Sequence, residues 1–108
     1  MTDEVFEALA DPIRRRVLEL VAAGERTAGE LAAEFDVSRP AVSRHLRVLT
    51  EAGLVTWRSD AQRRLYRLEP GPLADAGRWI ERTRDHWAAR LDALERHLDQ
   101  EEEQEHDA

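Results

Sequence analysis

The run SRPAVSRHLRVLTEAGL, from Ser38 to Leu54, decides how this chain is read. It opens on Ser38, whose hydroxyl can accept a hydrogen bond from an unpaired backbone N–H at the start of the helix that follows. Val37 and Val42 stand where a hydrophobic staple would close over that start. Val42, Leu46 and Leu49 then recur at helical spacing and form a buried stripe. The stop is equally legible: Gly53 falls just beyond the helix, where a positive φ is wanted, and Leu54 can pack back on Leu49 in a Schellman arrangement. If the stripe faces the core, the opposite face shows Arg39, Pro40, Ser43, Arg44 and Arg47. Such a face suits contacts to phosphate and to base edges, and an ordinary solvated surface is the competing explanation.

Working upstream, Thr27-Ala28-Gly29-Glu30 has the form of a capping box and predicts a short third helix with Leu31, Ala32 and Phe35 inward. Asp11-Pro12 caps and starts a second helix, whose Ile13, Val17, Leu20 and Val21 repeat up to Gly24. Asp3 to Ala10 reads as a first helix carrying Val5, Phe6 and Leu9. Downstream, Leu54 to Arg58 and Arg64 to Leu68 alternate apolar and polar residues, with Ser59 to Gln62 as the tip of a β-hairpin. Pro70-Gly71-Pro72 ends it. A long amphipathic helix then follows Leu73, Ala76, Ile80, Thr83, Trp87, Leu91, Leu94 and Leu98. The expected fold is mainly α with a small β-hairpin, in the order α-α-α-α-β-β-α: a helix-turn-helix followed by a wing. A helix of this kind fits a major groove, and a hairpin tip reaches the groove or backbone beside it.

At 108 residues one domain is expected, residues 1–98, followed by an acidic tail over residues 99–108 that should fray. Taken as a total, the net charge of −7 argues against a nucleic-acid partner, but it is unevenly spread. Six acids and no arginine fall between Asp99 and Asp107, whereas Ser38 to Arg67 holds seven arginines against Glu51 and Asp60. All 16 basic residues are arginine, which suits bidentate contacts and equally fits a compositional bias. The chain has no cysteine, so a disulfide framework, a thiolate metal site and a cysteine nucleophile are excluded. No apolar run would span a bilayer and no leader is visible, so a soluble cytoplasmic protein without membrane contact is expected. No glycine-rich phosphate loop, HExxH or GxSxG motif is present, which argues against an enzyme, and no cofactor is implied. His45 neighbours Ser43 and Arg44, where DNA contact or packing beneath the turn is expected.

Ala10-Asp11-Pro12-Ile13-Arg14, Thr27 to Ala32, Ser38 to Leu49 and Ala52-Gly53-Leu54-Val55 together resemble the ArsR-type (ArsR/SmtB) winged helix-turn-helix repressors of prokaryotes. The resemblance covers about residues 3–98 and is most specific over Ser38 to Leu49. It implies a homodimer that binds an inverted-repeat operator near its own gene and leaves it when an effector binds. It also implies groove-facing roles for Arg39, Pro40, Ser43 and Arg44, with Arg47 on the same face and Arg63 and Arg64 of the wing on the backbone of double-stranded DNA. Dimerisation would use the first and last helices, with Val5, Phe6, Leu9, Trp79, Ile80, Trp87, Leu91, Leu94 and Leu98 at the interface. A lone protomer would expose a long apolar stripe, which self-pairing buries.

Two other readings stand beside this one. Some members of the family sense metals, but here the stretch Glu30-Leu31-Ala32-Ala33-Glu34 holds no thiolate. His86 and His97 have the ten-residue gap of the family's other site, whereas Arg84 and Gln100 stand where carboxylate or imidazole ligands are needed. No metal site is expected, with His86 and His97 the only candidates for a metal-responsive repressor. Alternatively, the Trp-bearing last helix could bind a different protein, with DNA contact secondary.

Overall fold

Side-chain oxygens and arginines set the element boundaries. In the computed structural model, which describes residues 2–107 and the side chains of residues 3–103, α1 spans Thr2–Leu9 and α2 spans Pro12–Ala23. Asp11 Oδ1 accepts from the N–H groups of Ile13 and Arg14 at 2.8 and 3.1 Å, as its position before Pro12 predicts. The guanidinium of Arg14 reaches back to the carbonyls of Ala8 and Glu7, and that of Arg15 to Leu9. The last carbonyls of α1 are thereby satisfied by donors from α2. The Thr27–Glu30 capping box forms in both directions and opens α3, Ala28–Ala32. Ser38 Oγ accepts from Ala41 N–H and opens α4, Arg39–Glu51. Val37, expected to staple over that start, remains 38% exposed.

The C-terminal end of α4 is a complete Schellman motif. Gly53 takes φ +77°, its N–H donates to Thr50 O, and Leu54 N–H donates to Leu49 O, both at 3.0 Å. Leu49 and Leu54 are fully buried, so the turn that aims the chain into the wing is fixed by backbone bonds and by the core together.

The hairpin is longer than its alternation predicts, with β2 Val55–Asp60 and β3 Arg63–Leu68. Pairing runs from Val55↔Leu68 to Asp60↔Arg63, leaving a two-residue turn in which Ala61 has φ +57°. A two-residue hairpin loop needs positive φ at its first central position, which explains why an alanine is held there. A further strand, β1 Arg26–Thr27, pairs antiparallel with Tyr66 and Leu65, and the sheet order is β1-β3-β2. Two residues carry no readable period, so this strand had no signal in the sequence.

The core gathers Val17, Leu18, Leu20, Val21, Leu31, Val42, Leu46, Leu49, Leu54 and Val55 with Tyr66. Ile13, Ala32 and Phe35 are partly buried against it. Of the apolar residues of α1, Val5 is 2% exposed within the single chain and belongs to this core, whereas Phe6 and Leu9 are only partly covered.

The last element, α5, spans Pro70–Asp107. It starts at Pro70 rather than after Pro72, because the first turn of a helix has no use for the N–H groups that proline lacks. The chain divides into two compact units, one up to Ala76 and one from Gly77 onward, the second consisting of α5 alone. The acidic run from Asp99, expected to fray, is helical through Asp107. Glu and Gln are good helix formers, and His97 Nε2 lies 3.0 Å from Glu101 Oε1 one turn on.

Candidate nucleic-acid interface

The buried stripe of α4 dictates what its other side presents. With Val42, Leu46 and Leu49 in the core, Arg39, Pro40, Ser43, Arg44 and Arg47 are all exposed, as their spacing predicts. Ser43, Arg47, Thr50 and Glu51 of α4 line an open depression together with Trp57, Arg64 and Tyr66 of the sheet. A second depression brings Arg39 and Gly29 together with Gln62, Arg63 and Arg64. The structure thus joins Arg39, Ser43 and Arg47 of the helix to Arg63 and Arg64 of the wing across two adjoining hollows. Arg44 and Pro40 are exposed on α4 but line neither.

Ion pairing separates the arginines of the first unit into two sets. Arg16, Arg26, Arg58, Arg63 and Arg67 each lie within 4.0 Å of a carboxylate, with partners Glu19, Glu34, Glu25, Asp60 and Glu69. Arg14 and Arg15 hold backbone carbonyls. Among the described residues, Arg39, Arg44, Arg47 and Arg64 have no carboxylate partner. Four uncompensated, always-charged guanidinium groups on one face form a field suited to a polyanion. Arg63, expected with Arg64 on the DNA backbone, differs from it in having Nη2 2.9 Å from Asp60 Oδ2 at the hairpin tip.

His45 is turned away from this face. Its Nδ1 lies 3.3 Å from Arg14 Nη1 and its Nε2 4.0 Å from Asp11 Oδ1. Of the two expectations for His45, packing beneath the turn is the one its position fits. Partial burial opposes charge on Asp11. The two backbone donors, with His45 and Arg14 nearby, outweigh that and hold its carboxyl below the ordinary value. Four residues of this depression were not singled out by the sequence: Glu51, Tyr66, Trp57, assigned only to a strand, and Thr50, whose hydroxyl donates to Leu46 O at 2.7 Å. The signal for Trp57 was present as a large aromatic at an outer position of the wing.

Within α5 from Gly77 onward, Trp79, Ile80, Trp87, Leu91, Leu94 and Leu98 are each 46–56% exposed, a continuous apolar stripe along the helix. Arg90 lies over the Trp87 ring at 5.5 Å, and the His86 ring meets Trp87 edge-on. His97 is engaged by Glu101, and the described residues hold no group of three or more possible ligands that could bind a metal ion. Among the described residues no helix is long and apolar enough to cross a membrane.

A family model described as a helix-turn-helix domain matches residues 9–57, from the end of α1 into the wing. The HTH-type transcriptional regulator Rv2034 of Mycobacterium tuberculosis is 50% identical over 72 residues, 67% of this chain and 67% of that protein. The transcriptional repressor SdpR of Bacillus subtilis is 36% identical over 78 residues, 72% of this chain and 87% of that one. Among solved structures, the ArsR-like transcriptional regulator from Rhodococcus sp. RHA1 matches with a TM-score of 0.78 at 32% identity, covering 87% of this chain and 86% of its own. The homodimeric winged helix-turn-helix DNA-binding domain of Mycobacterium bovis Mb0332 matches with a TM-score of 0.62 at 29% identity, over 77% of each chain. The capped α3–α4 pair, the wing beside it and these likenesses in sequence and fold lead to one conclusion: the chain belongs to the ArsR family of winged helix-turn-helix transcriptional regulators, which act by binding DNA and not by catalysis.

Proposed function

We propose that the protein is a homodimeric repressor that binds an inverted-repeat operator in the cytoplasm, laying α4 in the major groove and the wing against the neighbouring backbone. The observation that carries this reading is the set of four arginines without carboxylate partners, Arg39, Arg44, Arg47 and Arg64, on the exposed side of α4 and the wing. Phosphate contacts supply affinity and position, while Arg39 and Arg44, which lie near the start of α4, supply base discrimination through their bidentate forks. The exposed stripe of α5 supports self-pairing, as does the homodimeric Mycobacterium bovis neighbour, with Phe6 and Leu9 the α1 residues left to contribute. A two-fold dimer sets its two reading helices about 34 Å apart, one turn of DNA, so the symmetry of the protein becomes the symmetry of its site. A dimer occupying that site blocks transcription by exclusion, in keeping with the relatives that are repressors.

The test is titration of a DNA duplex by the parent chain and by a triple variant, Arg39→Ala, Arg44→Ala, Arg47→Ala. The dimer loses the phosphate-facing Arg47 from both protomers, so the dependence of log K on log salt should fall by at least about 1.8, and loss of Arg39 and Arg44 should reduce discrimination between sequences. An unchanged slope would remove α4 from the interface.

A further inference from the structure

The wing carries four arginines, and their partners set one apart. Arg58 Nε lies 3.0 Å from Glu25, Arg63 Nη2 2.9 Å from Asp60 and Arg67 Nη2 3.6 Å from Glu69. Arg64 has no carboxylate partner among the described residues, and its guanidinium carbon sits 4.0 Å from the centre of the Trp57 ring. The strand register produces this contact. Trp57 pairs with Tyr66 and Ser59 with Arg64, so Trp57 and Arg64 are diagonal neighbours on one face of the hairpin. That face also carries the buried Val55 and Tyr66, whereas Arg58, Arg63 and Arg67 alternate onto the other.

Trp57 is a costly residue to leave 39% exposed if its role is only to fill space. Stacking uses the flat face of the guanidinium and leaves its edge N–H groups free for a bidentate acceptor, which an ion pair would not. Those N–H groups belong to the depression between α4 and the wing, where Ser43 and Arg47 also lack a partner among the described residues. The Thr50 hydroxyl there already donates to Leu46 O, and Glu51 also lines the depression, so an anion is favoured at the two guanidinium groups of Arg47 and Arg64 and away from that carboxylate.

We infer that this depression receives one backbone phosphate of duplex DNA, held by Arg47, Arg64 and the Ser43 hydroxyl, and that Trp57 is the positioning residue that keeps Arg64 aimed at it. The inference rests on the DNA-binding reading above and deepens it. It moves Ser43 from base reading to the backbone and gives the exposed tryptophan a role.

The test uses the full chain and a mixed-sequence duplex, with affinity followed across a salt series and melting of each variant as a control. Trp57→Leu keeps apolar bulk but has no ring face. It should weaken binding about 2- to 5-fold and lower the salt slope, while Trp57→Phe restores most of the loss. Arg64→Ala, which removes one phosphate contact from each protomer of the dimer, should lower the slope by about 1.8, and in that background Trp57→Leu should change affinity less than about 1.5-fold. Equal losses from Trp57→Leu with and without Arg64, or an unchanged salt slope in a Trp57→Leu protein that melts like the parent, would overturn the positioning role. Absence of any salt-dependent binding by the parent chain would overturn the DNA-binding reading along with it.

Discussion

Ala61 shows how one residue records a geometric demand. A two-residue turn between β2 and β3 requires φ > 0 at its first position, and Ala61 meets it at +57° although its Cβ makes that conformation unfavourable by roughly 1–2 kcal/mol. Glycine removes that strain and gives back about half of the gain through the entropy of the unfolded chain. Ala61→Gly should therefore raise the melting temperature by about 2–4 °C without altering the register. Asp11 is the second residue whose environment makes a measurable statement. Its carboxyl is held below the usual 3.8, so the folded state favours the charged form. The resulting stability is present above about pH 4 and is lost as the pH falls through the lowered folded value. Asn caps a helix as well as Asp, so Asp11→Asn should flatten the acid limb of a urea-midpoint profile while leaving the neutral region little changed, and an identical acid limb would count against this origin. The caps at Asp11, Thr27 and Ser38 and the glycine at 53 were legible because each is a local contract between a side chain and its neighbouring backbone. The arginines' pairings were not. Which of them find a carboxylate depends on long-range neighbours such as Glu25 for Arg58.

At the scale of elements, α4 is the case in which every local signal but the Val37 staple agreed. Its N-cap, stripe and Schellman turn all appear at the expected positions, because a helix of 13 residues offers enough period to fix both ends. β1 was invisible for the opposite reason, being two residues long and specified by its pairing with β3. For Val5, helical spacing identifies an apolar face without saying what covers it. Burial within the chain answers that for α1, whereas the α5 stripe keeps about half of each side chain exposed. The paired change Leu91→Gln, Leu94→Gln keeps helix propensity and removes the centre of the stripe. It should weaken self-association at least about tenfold by sedimentation, with the α4 side of the molecule still folded. An undiminished dimer would move the interface off this part of α5.

For the molecule as a whole, a net charge of −7 conceals two electrostatic regions, an arginine-bearing helix and wing and an acidic helical end. The winged architecture could be read from the sequence because its parts are short, capped and punctuated by glycine and proline. The functional face could be read only to the level of which arginines lie on it. The central claim is that this face, doubled by two-fold pairing, reads a symmetric DNA sequence. The most direct measurement is selection of bound sites from a random duplex library at about 0.15 M salt, followed by affinity against a scrambled control. An inverted repeat with half-sites about one helical turn apart should be enriched. Enrichment of no sequence, with binding that declines equally for all duplexes as salt rises, would contradict it and leave the arginines as an unspecific electrostatic surface.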